Sequence, residues 1–284
     1  MRSRRSNPPH SFRPLVALGV TLAGVVAMLA GALLGPFLGL GLRGQIGLGS
    51  VLLAAPALLA VVSRRVPWRA TLGLGTPSGS MLGLAALLGG ALWVASIGLM
   101  ELQSLVAPPP PEYIEAFRAI HHALVPDGPL DALASVAVIA LAPGVGEEVV
   151  MRGVLLPALV APLGPLGAVV TSAALFAAIH FDPYRFLFTL VIGLVLGALR
   201  LRTGSLWPPV VAHVTLNGLT FLIAPLVDDP AQTTYTPQPL LGAACLLAGA
   251  ALAVPLLRAL RPPVDGSGAA TRKAEATEPV PPAE

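Results

Sequence analysis

Two adjacent carboxyl groups, Glu147 and Glu148, precede Arg152 in the stretch PGVGEEVVMRG, residues 143–153. Glu148 and Arg152 are four residues apart, the spacing that brings side chains together on one helical face, so carboxylate and guanidinium can pair. Glu147 is rotated about 100° from its neighbour around a helix and is left for other work. A carboxylate without a dedicated partner can act as a general base. His213 and Asn217 are also four apart, and Phe176 and His180 repeat the spacing. A base, imidazoles and an amide are the parts that amide hydrolysis needs: one group to activate water, and donors for the charge that develops on the carbonyl oxygen. A polar cluster that only ties helices together accounts for Glu148 with Arg152, and for Phe176 as packing. It accounts less well for two histidines, an asparagine and a spare glutamate.

The surroundings make these groups conspicuous. The chain has 284 residues, of which 55% are hydrophobic and 11% charged, with a mean hydropathy of +0.80. Soluble domains carry about 25% charged residues. Long uncharged runs such as Pro14–Leu42, Ala70–Met100 and Gly153–Phe181 exceed or match the roughly 20 residues of a spanning helix. The composition predicts an all-α, polytopic membrane helix bundle of about eight helices, near 14–41, 45–62, 80–100, 131–151, 165–181, 185–200, 207–226 and 239–259. Ionisable groups at membrane depth cost about 2.5–3.5 kcal/mol on insertion scales, which marks them as functional candidates. Those left after the loop charges are set aside fall on the fourth, fifth and seventh helices.

Arginines gather at one set of ends: Arg2, Arg4, Arg5 and Arg13; Arg64, Arg65 and Arg69; Arg200 and Arg202; Arg258 and Arg261. The bias predicts both termini in the cytoplasm. The basic start precedes a run too long for a cleaved signal peptide, so that run is expected as a retained helix. Residues 1–13 read as a basic cytoplasmic tail, 14–260 as the transmembrane domain, and 261–284, rich in Pro, Ala, Gly and charge, as a disordered cytoplasmic tail. Segment 107–128 reads as an external loop with a short amphipathic helix, its His121 and His122 as exposed loop histidines rather than metal ligands. Cys245 is the only cysteine and excludes disulfides. The bilayer is the expected environment, in a multi-pass protein of a bacterial plasma membrane, and nothing points to nucleic acid. On these helix bounds PGVG breaks the fourth helix. Glu147 lies toward the inner side, while His180 is lifted roughly 22 Å along the fifth helix to its outer end.

The chain resembles the CPBP family of intramembrane proteases, which includes the CAAX prenyl endopeptidases and bacterial Abi proteins. The family pattern of EExxxR, FxxxH and HxxxN is matched in order by Glu147-Glu148-Val-Val-Met-Arg152, Phe176-Ala-Ala-Ile-His180 and His213-Val-Thr-Leu-Asn217. The resemblance covers about residues 130–226. It implies an endopeptidase acting on a membrane-associated peptide or protein. In that case Glu147 activates the attacking water, His180 helps to hold it, and His213 and Asn217 stabilise the oxyanion, with Glu148, Arg152 and Phe176 in support. The family has also been described as metal-dependent, and Glu147, His180 and His213 would form a His₂Glu zinc set. No short-range motif such as HExxH accompanies them, so a metal-free mechanism without a cofactor is the expectation. Two rival readings remain: a non-catalytic membrane interaction protein, such as one giving self-immunity to a peptide toxin, and a proton-coupled transporter. The absence of visible inverted repeats counts against the transporter.

Overall fold

The computed structural model describes residues 12–64, 67–227 and 235–260. The start before Phe12, the tail 261–284 expected to be disordered, and the topology markers Arg65, Asp228, Asp229 and Arg261 lie outside the described residues.

Every regular element among the described residues is helical: α1 Pro14–Leu34, α2 Leu42–Ser63, α3 Trp68–Leu72, α4 Gly79–Ser104, α5 Pro111–Leu124, α6 Pro129–Val136, α7 Ala142–Glu148, α8 Leu156–Ala178, α9 Phe186–Thr203, α10 Trp207–Val227 and α11 Pro239–Ala259. Apolar surroundings give backbone groups no water to bond, and the helix satisfies them within the segment. α1 packs on α2, α8 on α9, and α4 on both α10 and α11. Small residues set the closest of these approaches. Gly98 lies against Gly242 and Leu246, and Gly249 against Ala95, as expected where helices associate by backbone proximity.

Among the described residues, six helical stretches are long and apolar enough to cross a membrane, with Trp207–Ile223 as a shorter apolar helix. One of the six, Pro129–Ala178, is 50 residues long, far beyond what a bilayer about 30 Å thick requires. It divides at Gly164, whose φ of 71° and ψ of 169° lie outside the helical region, between Pro162 and Pro165. Two segments there and α10 bring the apolar helices to eight. The protein is thus an integral multi-pass membrane protein.

Two expectations about the central helix are corrected. The fourth helix does not stop at 151; it continues past Arg152 to the kink at Gly164. The Arg152 guanidinium pairs with Glu148 inside the protein, and the helix runs on past it. PGVG does not break the helix either: Ala142–Glu148 is helical. The irregularity lies on both sides of it, as π-helical turns at Ala137–Leu141 and Val149–Leu155. Pro143 lacks an N–H and cannot join a regular α ladder; the wider turn before it absorbs that defect. The longer helix also removes the expected separation of His180, because Glu147 now sits near the middle of the 129–163 stretch. The first helix likewise ends at Leu34, followed by a 3₁₀ turn at Pro36–Leu38.

Candidate active site

The π turn after the two glutamates carries Arg152 inward, and its guanidinium and Glu148 are both 0% exposed. Arg152 Nη1 donates to Glu148 Oε1 at 2.7 Å, so the pairing expected from the spacing is present. Nη2 donates to the Gly193 carbonyl on α9 at 3.0 Å. Gly193 also lets α9 pack closely on α8, because a Cβ there would stand 3.0 Å from the Ala173 Cα. From α9, Arg200 Nε donates to the Arg152 carbonyl at 3.2 Å. A single buried ion pair is therefore bonded to the helix on the far side of the core.

Glu148 has a second partner. Its Oε1 lies 3.0 Å from His213 Nδ1, a contact between α7 and α10 that the sequence spacing does not reveal. A carboxylate paired to arginine only accepts, so Nδ1 carries the hydrogen and Nε2 is left toward the cavity side. His213 Nε2 is 3.7 Å from Glu147 Oε2. Glu147 is 17% exposed where Glu148 is sealed, so the division of roles read from the 100° rotation is visible in the burial. Gly144 and Gly146 let this helix approach its neighbours: a Cβ on Gly144 would meet Val214 of α10 at 2.7 Å, and one on Gly146 the Ser50 carbonyl of α2 at 2.8 Å.

Phe176 is more than packing. It is buried and meets His180 edge-on at 5.0 Å and His213 edge-on at 5.7 Å between ring centroids. The Arg152 guanidinium lies over the same ring, 4.6 Å from its centroid. One aromatic ring thus fixes both imidazoles and the buried cation. His180 Nδ1 is 2.8 Å from the Phe176 carbonyl. A carbonyl can only accept, so here too Nδ1 carries the hydrogen and Nε2 is the open nitrogen.

Glu147, His180, His213 and Asn217 all line one cavity of about 450 Å³, with Phe176 in its wall. The separation expected for His180 does not occur. The rest of the lining is largely apolar, including Ile46, Met100, Ile139, Phe188 and Phe221. Among the described residues, no group of three or more His, Cys, Asp or Glu side chains is arranged to hold a metal ion. His213 Nδ1 is committed to Glu148 and His180 Nδ1 to a backbone carbonyl, which leaves the Nε2 of each ring open.

His121 corrects another expectation. It is no solvent-exposed loop histidine but half-buried on α5, lining the same cavity. Its Nδ1 lies 2.9 Å from the Phe117 carbonyl and its ring is tilted against that of Phe117, with centroids 4.1 Å apart. A signal was present in the sequence: Phe117-Arg-Ala-Ile-His121 nearly repeats Phe176-Ala-Ala-Ile-His180. Tyr113 and Asp182, which also line the cavity, carry no spacing that singles them out.

Residues 129–219 match the family model described as type II CAAX prenyl endopeptidase Rce1-like. The matched stretch contains all three motifs and begins within a residue of the core outlined from them. Comparison with curated proteins and with solved structures finds no match.

Proposed function

We propose, from the premise that the core of this chain belongs to the Rce1-like type II CAAX prenyl endopeptidase family, that the protein is an intramembrane endopeptidase working through a glutamate-activated water. The observation that carries this reading is the convergence of Glu147, His180, His213 and Asn217, from three separate segments, on one cavity. Glu147 takes a proton from water. The hydroxide attacks the peptide carbonyl carbon, and the proton passes on to the leaving amine as the C–N bond breaks. His180, with Nδ1–H tied to a carbonyl, presents Nε2 as an acceptor for the water. Asn217 and His213 donate to the oxyanion, the task for which pre-set donors are most effective.

His213 has a condition attached. With Nδ1–H engaged by Glu148, the ring can donate from Nε2 only as imidazolium. Nε2 faces Glu147 Oε2 at 3.7 Å, and Phe176 holds the ring in place. The largely apolar lining suits a peptide segment delivered from the bilayer, and the arginine bias supports cytoplasmic termini.

The test is cleavage of a membrane-anchored peptide by the purified protein and by Glu147→Gln, each with and without a chelator. The expected result is chelator-insensitive cleavage by the wild type and a loss of at least about 10³-fold in the variant, on the scale of removing a general base and its water. Cleavage that survives in Glu147→Gln refutes the assignment. Binding of a peptide without cleavage by the wild type favours the non-catalytic reading.

A further inference from the structure

His180 stands just beyond the end of α8, so the helix does not fix it alone. The next residue, Phe181, has a φ of 51° and is the one non-glycine residue with positive φ among those described. A bulky residue avoids that conformation, and surrounding contacts must over-determine it. The Phe181 side chain does not supply them, being 66% exposed. The hold comes from the turn that follows. Asp182 Oδ1 accepts from the backbone N–H groups of Tyr184 at 3.0 Å and Arg185 at 3.2 Å, closing the turn into α9.

Two side chains from elsewhere clamp this turn. Tyr113 donates its hydroxyl to Asp182 Oδ2 at 2.8 Å, and its ring sits 4.6 Å from that of Tyr184. Gln103 Nε2 donates to the carbonyls of Pro183 at 3.3 Å and Tyr184 at 3.1 Å. Burial first, and then the Asp182 carboxylate, push the Tyr113 phenol well above its ordinary pKa, so it remains a donor across the working pH range. Tyr113 opens a stripe on α5, with Phe117, Ile120, His121 and Leu124, that lines the cavity. The other end of α5 is tied down by Arg43. It donates to the carbonyls of Leu124 and Val125 and pairs with Asp131. One end of this covering helix is thus bound to α2 and α6, the other to the turn that carries His180.

We propose that Tyr113 is a positioning residue for His180: its hydrogen bond to Asp182 fixes the turn at 181–185, so the docking of α5 and the placement of the imidazole are a single event. The inference rests on the endopeptidase reading for its kinetic consequence but not for its structural one. A peptide entering beneath α5 has to strain the same contact that sets His180. The imidazole returns to its place only when the helix closes over the substrate.

The test uses the full-length protein with Tyr113→Phe, Gln103→Leu and Asp182→Asn. Two readouts are taken: kcat and KM on a membrane-anchored peptide, and ¹⁵N-histidine spectra of the ring nitrogens. For Tyr113→Phe, kcat is expected to fall about tenfold, the scale of one hydrogen bond to a charged acceptor, with KM within about twofold of wild type. The His180 ring signals shift or broaden while those of His213 stay. Gln103→Leu, which loosens the same turn from the other side, moves both readouts in the same direction. Asp182→Asn, whose amide N–H can donate to the phenol oxygen, retains most of the activity. Unchanged His180 signals in both Tyr113→Phe and Gln103→Leu overturn the proposal, whatever the kinetics. So does a kcat loss that tracks falling thermal stability with His213 equally perturbed. If the wild type cleaves nothing, the endopeptidase reading fails, and the spectra still decide the role of Tyr113.

Discussion

The buried pair gives the sharpest quantitative prediction. Glu148→Gln leaves the Arg152 guanidinium 0% exposed with no compensating charge in contact. Arg152→Met leaves the Glu148 carboxylate buried with only its His213 contact. Breaking a buried pair from either side costs about 3–5 kcal/mol, because the remaining charge stays desolvated. Arg152→Met also loses the bond to the Gly193 carbonyl, worth about 1 kcal/mol, and the contact over the Phe176 ring. The double variant Glu148→Gln/Arg152→Met removes both charges and keeps the volume. It should be less destabilised than either single variant, with a coupling of at least about 2 kcal/mol between the sites. The assay is unfolding of the detergent-purified protein by heat or by steric trapping, with all four proteins run together. At roughly 2–4 °C per kcal/mol for a chain of this order, each single variant loses on the order of 10 °C and the double variant recovers much of it. Additive losses would mean that the pair is solvated in the membrane state and that the burial argument is wrong.

Two further outcomes follow from the same geometry. Asn217→Ala removes a donor from the cavity without opening the core, since Asn217 is only half-buried. It should lower kcat about 10²–10³-fold with little change in KM or melting temperature, and a change confined to KM would remove Asn217 from the oxyanion role. Gly146→Ala sets a methyl group 2.8 Å from the Ser50 carbonyl oxygen, which is backbone and cannot turn aside. It should destabilise by about 1–3 kcal/mol; Gly144→Ala meets Val214 Cγ2 at 2.7 Å with the Val214 backbone N at 3.3 Å behind it, on a side chain stiff at χ1, so a loss of similar size is expected, and parallel melts of the two check it.

The bundle was legible because uncharged runs of Leu, Ala, Val and Gly have one physical outcome in a bilayer. The three motifs were legible because i,i+4 spacing survives in any helix. What misled was the end given to the fourth helix. The expected bounds stop it at 151, yet Arg152 pairs with Glu148 in place and the helix runs on to Gly164. That error alone created the expected gap between Glu147 and His180. The Glu148–His213 contact links residues 65 apart in sequence, and no periodicity encodes it. The same holds for Tyr113 with Asp182, 69 apart. The histidine on α5 was passed over for a different reason: a loop context overrode a spacing identical to that of Phe176 and His180.

The proton inventory of the cluster makes Glu148 more than a support for Arg152. Two carboxylates and one guanidinium meet His213 within a few ångströms, so the four groups balance when the imidazole is protonated and leave one negative charge when it is not. Glu148 already takes the Nδ1–H, so a second proton on the ring would sit on Nε2, facing Glu147. In the proposed reaction the negative charge begins on Glu147 and ends on the oxyanion, as the water proton moves to the carboxylate. Both positions lie on the Nε2 side of the same ring. The imidazolium can therefore pair first with the base and then with the oxyanion, while the net charge of the cluster and its bound water and peptide stays constant. That is the condition under which fixed dipoles and charges stabilise a transition state without reorganising. On this logic the two adjacent glutamates are not redundant. Glu148, sealed against Arg152, fixes which nitrogen of His213 points outward, and Glu147 faces that nitrogen.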